Sequence, residues 1–156
     1  EYSYDSGLPI LPEINGDLTW DNDYWRMPAE TLADETGDCE DMAALLASMR
    51  LNYTASEGYT SWLISWVSDD TAHMAVAFPV AGGKITILDP SGQYYSWSTQ
   101  GSDLLAFDVE LEIDYWLNTH WAGYTGIYIY SVCTADYYVQ FDTTDDFITW
   151  FNDRYS

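Results

Sequence analysis

The run Gly37-Asp38-Cys39-Glu40-Asp41 stands directly before an apolar pattern of helical period, and no other segment constrains the chain as much. Asp38 is a good N-cap residue, and Asp41, three positions on, approximates a capping box. Met42, Leu45, Leu46 and Met49 then recur at i, i+3, i+4 and i+7, which predicts a helix over residues 39–51. Cys39 falls in the first turn, on the side that faces the core. Backbone N–H groups are unpaired at that end of a helix, and its positive dipole favours a thiolate that forms below the pH of a free thiol. The same N–H groups can form half of an oxyanion hole.

Two strands follow. Residues 71–78 alternate, with Ala72, Met74, Val76 and Phe78 on one face and His73, Ala75 and Ala77 on the other. Residues 84–88 read as a second strand, ended by the turn Asp89-Pro90-Ser91-Gly92, and 79–83 as their hairpin connection. A hairpin centred on Ala81 sets His73 directly opposite Asp89, within side-chain reach. The small Ala75 and Ala77 on that face leave room for the Cys39 helix. A thiol, an imidazole and a carboxylate in this order are the equipment of a cysteine nucleophile, its general base and the group that orients the base.

These residues resemble the transglutaminase-like cysteine protease superfamily. The features are Gly-Asp-Cys-Glu-Asp opening a helix, a His on a following strand and Leu-Asp-Pro on the next. Pro28-Ala29-Glu30-Thr31-Leu32 is similar to the segment before the nucleophile in bacterial and archaeal members, so the likeness spans roughly residues 25–92. The resemblance implies an α+β, papain-like or transglutaminase-like fold, with the nucleophile helix packed on an antiparallel sheet. It implies acyl transfer through a thioester, with Cys39 as nucleophile, His73 as general base and acid, and Asp89 orienting the imidazole. Family members add an upstream oxyanion donor, often an indole N–H. Trp25 is the candidate, with Tyr24 and Asn22 behind it, and a core or groove role suits Trp25 equally well. In related calcium-dependent periplasmic proteases the acidic residues flanking the nucleophile take part in Ca²⁺ binding, and Asp38 and Asp41 match those positions. No cofactor is required on this reading, and Ca²⁺ is a possible one. Capping alone explains Asp at both positions and is preferred.

Composition bounds what remains. The 156 residues suit a single domain, 47% of them apolar, with residues 1–22 as an extended arm, 23–92 as the catalytic core and 93–156 completing the fold. The formal charge of −22, from 26 acidic and 4 basic side chains, makes nucleic acid and anionic membranes poor partners. It suits a solvated acidic surface, in high salt or outside the cell. No apolar run is long enough to insert in a membrane. A chain beginning at Glu1, with the sequon Asn52-Tyr53-Thr54, fits an exported protein or an excised part of one, monomeric or within a longer chain. Cys39 and Cys133 invite a disulfide, but a buried, inert Cys133 within a strand at 126–133 is preferred. His120 at a helix end is a rival base whose simpler role is a C-terminal cap.

Further elements are a short helix at 28–34, strands at 59–67 and 137–141, and a last helix at 145–152 capped by Thr143 or Thr144, with 102–118 open between helix and strand. The functional expectation is a cysteine acyl-transfer enzyme on protein or peptide amides. Peptide hydrolysis is preferred to transamidation, since nothing marks a dedicated amine site. The alternative is a non-catalytic module of an exported surface protein, binding protein or, given 8 Trp and 14 Tyr, carbohydrate.

Overall fold

The computed structural model describes residues 1–4, 8–10, 19–21, 24–53, 60–97 and 103–156. Asn22 and Thr54 of the sequon lie outside the described residues. Within the expected arm, β1 (Leu8–Ile10) and β2 (Thr19–Asp21) pair antiparallel. Then come α1 (Pro28–Asp34), α2 (Cys39–Tyr53), β3 (Trp62–Val67), β4 (Ala72–Val80) and β5 (Lys84–Asp89). Next are β6 (Tyr94–Tyr95), β7 (Phe107–Asp108) and α3 (Val109–Tyr115), which runs into a π-helical turn, Trp116–His120. The last elements are β8 (Tyr128–Cys133), β9 (Tyr138–Gln140) and α4 (Thr144–Tyr155).

The architecture is α+β. Seven strands form one antiparallel sheet in the order β6-β5-β4-β3-β8-β9, with β7 also on β5, so both halves of the chain build it. Alternation decides what each face carries. Trp62, Ile64 and Trp66 of β3, Ala75 and Ala77 of β4, and Ile85 and Ile87 of β5 point to one side. There they are covered by Ile113, Trp116 and Leu117 of the α3 and π-helical segment and by Phe147 and Phe151 of α4. Phe147 and Phe151 of α4 turn inward, and Thr143, one of the two expected caps, is its N-cap, accepting from the Asp146 N–H at 3.1 Å.

The other face carries the helix that Cys39 opens, and its packing differs from the expected one. Helix α2 lies on Val76 and Phe78, not on the Ala75 and Ala77 face. Its buried stripe is Ala43 and Ala47 with Leu46, while Met49 is exposed. Small helix residues let the backbone approach the bulky strand side chains, a better fit than Met against Phe. Cys39, four residues before Ala43, extends this stripe.

The β4–β5 hairpin is also displaced from its expected register. Val80 pairs with Lys84 around a turn at 81–83, so the hairpin is centred on Gly82 instead of Ala81. Gly82 and Gly83 take φ of 82° and 67°, a region that glycine enters without cost. Both N–H groups donate to the Tyr155 carbonyl, at 2.9 and 3.0 Å, while the Gly83 carbonyl accepts from Val109 N–H at 3.0 Å. Contacts with α3 and the end of α4 therefore set the register.

Gly83→Ala should lower the unfolding free energy by about 1–2 kcal/mol, the cost of a left-handed non-glycine residue. A urea titration checks this, and an unchanged midpoint would refute the role given to the turn.

Candidate active site

The site is assembled where β4 begins and β5 ends. A hairpin centre moved by one residue keeps His73 and Asp89 on the same face but shifts them from opposed to diagonal neighbours. The side chains span that diagonal: His73 Nε2 lies 2.9 Å from both Oδ1 and Oδ2 of Asp89. Both residues are buried, Asp89 being 1% exposed and His73 8%. A carboxylate only accepts, so Nε2 carries the hydrogen and, in the neutral ring, Nδ1 is left with its lone pair.

Asp89 is held from several sides. Gly92 N–H donates to Oδ1 at 2.7 Å, Ser91 Oγ to Oδ1 at 3.4 Å and Trp116 Nε1 to Oδ2 at 3.2 Å. A Cβ on Gly92 would collide with Asp89 and with Trp121, so the close approach requires glycine. The π-helical turn supplies the indoles. Its wide hydrogen bond, Trp121 N–H to Trp116 O at 3.1 Å, sets Trp116 on Asp89 and Trp121 over His73, with ring centroids 4.6 Å apart. Trp66 flanks the imidazole at 5.4 Å. Trp116, Gly92 and Trp121 were missed as site residues because the ambiguous 102–118 pattern hid the helix; the Asp-Pro-Ser-Gly turn was their one signal. His120 does not act as a simple helix cap: its Nε2 meets the Gly92 carbonyl at 2.9 Å and braces the same turn.

Cys39 reaches the site from the other face of the sheet. It opens α2 and lines a cavity of about 530 Å³ together with His73, Asp38, Glu40, Trp25 and Met74. Cys39 and His73 thus share a cavity without a hydrogen bond between them. The thiol donates to Glu40 Oε2 at 3.3 Å. Burial first, then the charge and hydrogen bond of Glu40, push the Cys39 thiol up to about 12; a backbone hydrogen bond from Met74 acts in the other direction. The direction is opposite to the lowering expected from the helix start, because burial of the thiol, reinforced by the carboxylate of Glu40, raises it. Cys133 is also a free thiol, raised by burial, and no disulfide links the two.

Trp25, the expected oxyanion donor, lines the cavity at its rim and is 55% exposed. Asp38 and Asp41 are both buried. Asp41 does not close a capping box: its Oδ1 accepts the Arg26 N–H at 2.8 Å, and its Oδ2 lies 3.4 Å from the Arg26 guanidinium. The Arg26 cation thus already sits on Asp41, one of the two expected ligands of a Ca²⁺ ion, which takes about 6–8 oxygens. Among the described residues no group of three or more His, Cys, Asp or Glu side chains could hold a metal.

No protein-family profile and no curated protein sequence matches the chain. Among solved structures it is similar to Legionella pneumophila LapG, at 18% identity and a TM-score of 0.47, over 97% of this chain and 70% of that one. It is also similar to the calcium-bound form of Legionella pneumophila LapG, at 17% identity and a TM-score of 0.42, over 94% of this chain and 73% of that one.

Iodoacetamide labelling followed by mass spectrometry should give Cys39 a pH midpoint near 12. Glu40→Gln removes the neighbouring charge and should move the midpoint down. A wild-type midpoint below that of a free thiol, about 8.5, would contradict the environment described.

Proposed function

We propose that the chain is a transglutaminase-like, cysteine-dependent acyl-transfer enzyme acting on protein or peptide amide bonds, working as a peptidase. One observation carries this reading. Cys39 lines the same cavity as an imidazole whose Nε2 is anchored on the buried Asp89 carboxylate, leaving Nδ1 to take a proton.

The chemistry follows from those positions. The resting thiol is neutral, so His73 acts as a true general base. As the thiol turns from Glu40 toward the imidazole, Nδ1 accepts its proton and Sγ attacks the amide carbonyl. The oxyanion forms beside the backbone N–H groups at the start of α2, with the Trp25 indole as second donor. When the tetrahedral intermediate collapses, the C–N bond breaks and His73 returns the proton to the leaving amine. Water, deprotonated by His73, then releases the acyl group from sulfur as a carboxylic acid. An amine in place of water would give transamidation. Asp89 steadies the imidazolium during each transfer.

Two further parts of the reading rest on composition and charge. A net charge of −22 suits an exported setting of high ionic strength, and its sign favours neutral or basic protein substrates. No helix among the described residues is long and apolar enough to cross a membrane. Calcium is not required on this reading, because Arg26 already neutralises Asp41.

Cys39→Ala should abolish peptide cleavage, by roughly 10⁴-fold or more, and Asp89→Asn should lower kcat by roughly 10²- to 10⁴-fold. Circular dichroism of each variant checks that the fold survives. Cleavage that persists in Cys39→Ala would end the cysteine mechanism, and absence of cleavage by the unaltered chain would leave a binding module as the better account. For the metal, the melting temperature in EDTA should equal that in millimolar Ca²⁺ at matched ionic strength; a rise with Ca²⁺ would show a site that this arrangement does not provide.

A further inference from the structure

His73 borders a second cavity. It has a volume of about 240 Å³ and is walled by Trp66, Trp121, Tyr124, Tyr2 and Tyr4, with His73 at its inner end. Complete ligand pockets span roughly 300–1,000 Å³, so this space suits one side chain more than a whole ligand. Among the described residues no carboxylate, Lys or Arg lines it, although the chain carries 26 acidic residues. Aromatic faces in mutual contact make the wall: Tyr124 lies 5.2 Å from Trp66 and 5.7 Å from Trp121, centroid to centroid.

The two indoles carry a second, independent sign. Nε1 of Trp66 and Nε1 of Trp121 are buried without a hydrogen-bond acceptor among the described residues. Buried donors are rarely left in this state, because each forfeits its bond to water without a replacement. Both nitrogens are closed off from water, so a carbonyl oxygen becomes their acceptor only when the rings turn as a ligand enters. An apolar ring together with a neighbouring carbonyl is what an aromatic residue within a peptide presents.

We infer that this cavity is the subsite for an aromatic side chain of the substrate, on the amine side of the scissile bond. The side follows from the proposed mechanism, on which the inference rests. His73 delivers its proton to the leaving amine, and the cavity adjoins the Cys39 cavity, sharing Tyr2, Tyr4, Thr71, Ala72 and His73 with it, while neither Cys39 nor another α2 residue is among its described lining. The residue that becomes the new N-terminus, or that enters as an acceptor amine, lies over His73 with its ring against Tyr124 and Trp121. Charged residues are disfavoured there, because the described walls offer them no counter-ion.

The test separates binding from catalysis. ¹⁵N-labelled Cys39→Ala protein is titrated with N-acetyl-phenylalaninamide, N-acetyl-glycinamide and N-acetyl-aspartic acid amide, following the indole N–H signals; Trp121→Phe assigns one of them. The expected result is saturable shifts of the Trp66 and Trp121 signals with the phenylalanine compound alone, weakened roughly 3- to 10-fold in Tyr124→Ala. Equal binding of the three compounds, no binding, or binding indifferent to Tyr124→Ala overturns the subsite. In parallel, the unmodified chain is given peptides that differ only in the residue after the scissile bond. Selective binding without any cleavage shows that the cavity takes aromatic side chains but removes the peptidase reading and, with it, the assignment to the amine side. Cleavage indifferent to that residue, together with absent binding, removes the subsite and leaves the peptidase.

Discussion

The Asp89 carboxylate is the point on which the rest of the site turns. Buried to 1% exposure, it gathers the His73 imidazole, the Gly92 amide, the Ser91 hydroxyl and the Trp116 indole. These donors come from β4, from the turn after β5 and from the π-helical turn, so one anion ties three segments together. In a low-dielectric interior each such bond is stronger than in water, and each donor left without its acceptor is correspondingly costly. The same carboxylate fixes the imidazole tautomer, and so links the packing of the core to the direction in which a proton can move. Nearby, buried Glu112 accepts from Tyr94 Oη at 2.6 Å and from Ser96 Oγ, holding α3 against β6.

The nucleophile is organised by different physics. It sits on a helix that packs on the opposite face of the sheet, and it meets the imidazole only at the mouth of a cavity near the start of β4. Glu40, and not His73, is its hydrogen-bond partner. Burial and that carboxylate raise the thiol's pKa and so favour the protonated sulfur. Negative charge around the nucleophile thus lowers the resting reactivity of the thiol, and a substrate that draws the sulfur away from Glu40 would relieve the restraint.

Part of this was legible in residue order. Alternation in β3, β4 and β5 and the 28–34 helix follow from local periodicity, and the structure keeps them within a few residues. Three errors share one cause. The α2 stripe, the sheet face it covers and the hairpin register all depend on partners distant in sequence. Met42 and Met49 are as apolar as Ala43 and Ala47, so the period alone cannot rank them; the space left by Val76 and Phe78 does. The turn at 81–83 could centre on either of two residues until the end of α4 bonds both glycine amides. Trp116 was invisible for a similar reason, since nothing local reveals that a helix will widen into a π turn and aim its indole at a strand end.

What the sequence determined by itself was the chemistry on offer and the faces of the strands. The positions of Cys39, His73 and Asp89, the helix beginning at Cys39 and the parity that keeps His73 and Asp89 on one side of a hairpin all follow from short-range sterics and period-two geometry. The tertiary structure alone decided how those groups meet. Whether the pair is opposed or diagonal, which side the nucleophile approaches from, and whether its sulfur rests on an imidazole or a carboxylate are settled by long-range packing and burial. Those energies depend on volumes and fields contributed by residues up to the far end of the chain, which no local pattern contains.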